Sequence, residues 1–150
     1  MGKSILAVVA GLIAWGVIIT VAGLIVRASW PAYASVATEM NFTLSMLFVR
    51  LSIAAVATLT TGLIATLIVP RSVLVRLIPG FILLALFIPQ HIALWAKFPV
   101  WYHLTFLLSL VLLTWVGGAM ATRAHAAVRR GGVTGVRAAS WRSRRGARGA

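Results

Sequence analysis

Cysteine is missing from this chain and acid is nearly so: among 150 residues the single carboxylate side chain is Glu39. The first absence excludes disulfides, thiolate metal sites and thiol redox chemistry. The second leaves no carboxylate inside an apolar run, so coupling to a proton or cation through a buried acid has no candidate. Several phosphate and metal motifs are absent as well. There is no GxGxxG following a strand, no GxxxxGK[ST] loop and no EF-hand pattern, so nucleotide and calcium binding have no support. Neither HExxH nor HxxxH occurs, no Ser/His/Asp constellation is visible, and the modules of soluble DNA-binding proteins are missing.

What the chain does contain is hydrocarbon. It is 61% hydrophobic, with a mean hydropathy of +1.03. That is too apolar for one water-soluble core of this size, and places the chain in a membrane. Lys and Arg number 14, for a net charge of +13. Apart from Arg50 they avoid the apolar runs and collect at the ends of those runs and in the tail.

Four hydrophobic segments are each long enough to cross a bilayer core, which takes about 20 helical residues. They run over 4–26, 42–69, 77–96 and 100–122. The first is far longer than the hydrophobic region of a secretory signal, although "PAYASVA" after it mimics a cleavage site. Lys3, Arg71, Arg76 and the tail arginines fall on one side of the spans, and only Arg27 and Lys97 on the other. Basic residues mark the cytoplasmic side, so both termini are expected there. The predicted fold is therefore all-α: a four-helix transmembrane bundle followed by a basic tail.

That tail, 123–150, is Arg-, Gly-, Ala- and Ser-rich, and its composition predicts disorder in water. Its arginines suit anionic lipid headgroups, each contributing about 1 kcal/mol near the surface. Trp141 can then dip into the interface. Nucleic acid is the rival partner for such charge, but beside a membrane lipid is the better one, and no nucleic acid is expected. His125 belongs to this tail and carries no special role.

Helices in lipid associate where small residues let their backbones approach. The first span offers Ala7, Gly11 and Ala14, with Gly16 and Gly23 beyond them. The second offers Ala54, Ala57, Thr58, Thr61, Gly62 and Ala65 at helical spacing, and Arg50 shares that face. An ionised group within a span costs roughly 2.5 to 3.5 kcal/mol at its centre on insertion scales. Arg50, about 12 Å along the helix from Phe42, either snorkels outward or has an internal partner. Glu39 is the one acid available, yet it sits about 16 Å away along a continuous helix.

The segment "FIPQHIALWAKFPVWYH", from Phe87 to His103, concentrates polar residues between two oily runs. Pro89 frees the carbonyl of Ala85, which then needs a donor in lipid. Pro99 starts a helix, where its missing donor costs nothing. Trp95, Trp101 and Tyr102 are expected as an interfacial belt. Gln90, His91 and His103 remain, and with Arg50 and Glu39 they converge on the outer leaflet.

The stretches "FTLSMLFVRLSIAAVAT", from Phe42, and "FIPQHIALWAKFPVWYHLTFLLSL", from Phe87, resemble a group of small bacterial four-span membrane proteins of unknown function. The resemblance covers the spans and not the tail. It implies a bacterial inner-membrane location and a bundle architecture, and supplies no activity.

Three classes of function follow. A non-enzymatic small membrane or accessory protein assumes least, with a membrane partner or a second copy as its associate and no cofactor. A membrane enzyme or metal protein would use His91 and His103, with Glu39 as a further ligand. A small anion transporter would use Arg50, His91 and His103 as a pocket open to the outer face.

Overall fold

The computed structural model describes residues 2–70 and 72–146, with side chains described to Val128. The topology marker Arg71 and residues 147–150 lie outside the described residues, as do the side chains of the tail from 129 on, Trp141 among them. Five helices follow in order: α1 Gly2–Ser29, α2 Pro31–Val36, α3 Leu44–Ile68, α4 Val73–Ala93 and α5 Val100–Gly146. No strand occurs among the described residues. Four helical stretches are long and apolar enough to cross a membrane: Gly2–Ser29, Leu44–Ile68, Val73–Ala93 and Val100–Val128. The all-helical fold and the four long apolar helices expected from hydropathy are thus present.

Local chemistry sets the boundaries. Pro70 follows the end of α3, and the Ser72 hydroxyl then accepts from the Val75 amide at 3.2 Å to cap α4. That cap starts α4 a turn before Leu77, placing Arg76 inside the helix instead of in the loop before it. Pro31 occupies the first turn of α2, where a missing amide hydrogen has no cost. This short helix was not anticipated; it lies over the supposed cleavage site. Beyond Arg123 the backbone continues helically to Gly146, where composition predicts a disordered tail. Ala and Arg favour helix, and no proline interrupts the chain after Pro99.

α3 is the central element and packs on α1, α4 and α5. All six small residues of its predicted stripe are buried, Ala54, Ala57, Thr58, Thr61, Gly62 and Ala65. On α1 the buried seam is Ala7, Gly11 and Trp15, spaced four apart so that it stays on one face. A Cβ on Gly11 would come within 2.9 Å of the Thr61 carbonyl oxygen. Gly16 and Gly23 lie off this seam, with nothing within 4 Å of a Cβ at either, and so do not serve the close packing expected of them.

Against α5 the approach is closest. A Cβ on Gly62 would meet the backbone of Thr114, and one on Gly117 would meet the backbone of Leu59. Polar contacts tie the same interfaces: Trp15 Nε1 donates to Thr58 Oγ1 at 3.2 Å, and Thr61 Oγ1 donates to the carbonyls of Ala57 at 2.9 Å and Gly11 at 3.2 Å. The apolar core of Trp15, Ala54, Ala57, Leu83, Phe106 and Leu110 draws on all four long helices. Outward, α1 shows Ile5, Leu6, Ile13, Val17 and Leu24, the surface a lipid-facing helix requires.

Candidate functional site

The polar residues gather at the end of the bundle that carries the 30–43 and 94–99 connections. α3 brings Arg50 there, half-buried. Its Nε donates to the Tyr102 hydroxyl at 3.3 Å and its Nη1 to the Tyr33 hydroxyl at 3.1 Å. The guanidinium carbon also lies 4.6 Å from the centroid of the Phe42 ring, a cation–π contact of about 0.5–2 kcal/mol. Arg50 therefore turns inward to neutral partners and does not snorkel. Tyr33 is 5% and Tyr102 3% exposed.

Two elements position those phenols. α2 lays Tyr33 against Ala37 and Met46, with Val26 and Phe42 beside them. α5 presents Tyr102 against Leu47 and Phe98. The Phe98 ring stands 5.1 Å from Tyr102 and stacks at 6.1 Å on Phe42. Tyr102 is thus an interior residue and not part of an interfacial belt. Trp95 and Trp101 are the half-exposed aromatics, at 50% and 37%.

The two histidines come together from separate helices. His91 Nδ1 and His103 Nδ1 lie 2.7 Å apart, with the rings at 80°. One nitrogen must donate and the other accept, so when both rings are neutral one carries its hydrogen on Nδ1 and the other on Nε2. Trp95 stacks over His103 at 4.7 Å, and Phe106 packs against His91 at 4.7 Å. His103 is fully buried, and its Nε2 has no hydrogen-bond partner among the described residues.

Beside these groups lies a cavity of about 170 Å³. Its polar wall is Tyr33, Arg50, Gln90, His91 and Tyr102; much of the apolar wall is Trp15, Ile19, Ile53, Phe87 and Phe106. Gly23 borders it as well. Of the residues predicted to converge, the cavity joins Arg50, Gln90 and His91, while His103 stands behind His91 and outside the wall. Glu39 does not join them. It is exposed and accepts from Asn41 Nδ2 at 3.1 Å, because the 37–43 connection turns at Met40, whose φ is +61°. Nor do Arg50 and the histidines donate to the Ala85 carbonyl, since their hydrogen bonds go to the tyrosines and to each other.

Neither tyrosine stands out in the sequence as a partner of Arg50. Tyr102 could have been found, because Tyr102, Phe106, Leu110 and Thr114 recur every four residues and are all buried. Tyr33 could not, since its contact with Arg50 depends on how α2 folds over α3. No three His, Cys, Asp or Glu residues among those described are grouped to hold a metal ion. Comparison with known family models, curated proteins and solved structures yields no match to this chain.

Proposed function

We propose that this chain is a non-enzymatic membrane protein that binds a small ligand in the cavity beside Arg50, on the outer side of a bacterial inner membrane. Both termini then face the cytoplasm, with the basic tail against anionic headgroups. One observation carries the reading. The guanidinium at the cavity wall meets two neutral hydroxyls and a ring face, while Glu39, the one carboxylate side chain, is engaged elsewhere. A cation kept in a weakly polar setting without a counter-charge is ready for one that arrives with a ligand. Binding requires only the groups present.

Gly23 provides the test. It borders the cavity, and a Cβ there meets nothing within 4 Å, so Gly23→Leu fills the space without displacing a helix. Native mass spectrometry of protein gently extracted from its own membrane should find a bound small molecule on the wild type and none on Gly23→Leu. The same adduct on both proteins, or none on the wild type, would refute the proposal.

A further inference from the structure

The hydrogen-bond inventory of the cavity defines what it can accept. Arginine has five N–H donors and no acceptor; two of the five on Arg50 go to Tyr102 and Tyr33. Three remain. Each tyrosine hydroxyl accepts from Arg50, so its own hydrogen must point elsewhere, and neither has an acceptor among the described residues. Two hydroxyl donors and the unused guanidinium hydrogens are therefore held around one positive charge. Such a donor set matches an oxyanion, whose hydrogen bonds to charged groups are shorter and stronger than neutral ones.

Charge and size narrow the class further. A single cation is neutralised by a monoanion, whereas a dianion would leave an unpaired charge in a poorly solvated place. At about 170 Å³, the cavity resembles the roughly 150 Å³ apolar cavity that admits benzene. Trp15, Phe87 and Phe106 supply aromatic walls for that volume. The wall is open where exposed Gln90 and half-buried Gly23 border it, so a longer chain can leave toward lipid.

We infer that the cavity takes a monoanionic amphiphile, its oxyanion head held by Arg50, Tyr33 and Tyr102 and its first carbons packed against Trp15, Phe87 and Phe106. This rests on the ligand-binding reading above and adds the chemical class. The head can belong to a free carboxylic acid or to the phosphodiester of an anionic phospholipid, which share a single net charge and the acceptor oxygens; phosphatidylcholine, whose own ammonium balances its phosphate, is not of this class.

The experiment uses the full chain in phosphatidylcholine nanodiscs and radiolabelled decanoate as probe, with decanol as the uncharged competitor. Saturable decanoate binding is expected, with decanol at least about tenfold weaker, the difference made by hydrogen bonds to a charged group. Arg50→Gln should weaken decanoate by a similar factor and leave decanol unchanged. Tyr33→Phe combined with Tyr102→Phe should give a smaller loss. Displacement of decanoate by phosphatidylglycerol added to the discs supports the inference and assigns the head to a phospholipid; saturable binding that persists supports it and assigns the site to the free acid. Saturable binding of decanol as tight as decanoate, abolished for both by Gly23→Leu, overturns the anionic class while leaving a ligand cavity. The wild-type comparison needs no variant to fold. No saturable binding of either probe also overturns the inference, and the adduct test on Gly23→Leu then judges the cavity independently.

Discussion

Arg50 and the two histidines meet the same physical demand in different ways. A polar group inside a bundle must find partners, because leaving one unsatisfied costs about 1–3 kcal/mol. Arg50 takes two phenols from different elements, while His91 and His103 take each other. Removing one ring strands the other nitrogen. His91→Phe and His103→Phe should therefore each destabilise by about 1–3 kcal/mol, and the double variant should cost clearly less than their sum. Reversible unfolding in mixed micelles measures this cycle; strict additivity would show that the pair contributes no coupling. At this scale the sequence revealed which residues were costly in lipid, since charge and ring nitrogens are visible as letters. It did not reveal their partners. Tyr102 read as an interfacial anchor because it neighbours Trp101, and only its four-residue register with Phe106 and Leu110 marks it as interior.

Among the elements, the tightest contact is the crossing of α3 and α5 at Gly62 and Gly117, where each glycine faces the other helix's backbone. Backbone cannot swing aside as a side chain can, so an added methyl must push the helices apart. Gly62→Ala and Gly117→Ala are each expected to destabilise by about 1–3 kcal/mol, the usual cost of overpacking. Gly16→Ala, with open space around its Cβ, should be neutral or slightly stabilising through helix propensity. The same unfolding assay separates them, and equal losses at all three positions would contradict the packing described. The small stripe on α3 was legible because six residues recur at helical spacing. Gly117 was not singled out by such a stripe, yet it serves close approach as well. Helix ends shifted too, as the Ser72 cap starts α4 before hydropathy alone would.

For the whole molecule, four apolar helices that each cross a bilayer would return both ends of the chain to one side, which the proposed topology makes the cytoplasm. A reporter fused after the C-terminus is expected to fluoresce as green fluorescent protein and to be inactive as alkaline phosphatase; the reverse pattern would invert the topology. The four apolar helices were readable because composition and span length both speak to the bilayer. The cavity was not, because it needs five helices arranged at once. Its arrangement also bears on biogenesis. The chain is made from its N-terminus, so α3 is synthesised when only α1 and α2 exist to receive it. Tyr33 is then already available to Arg50, but Tyr102 arrives with the last span, as does Thr114, whose backbone lies against Gly62. Until that span is released, α3 presents a half-partnered arginine and an unfilled groove to the lipid or to the insertion machinery. Chains truncated before α5 should therefore be the species that quality-control proteases recognise, because what they leave uncovered is the centre of the bundle and not its edge.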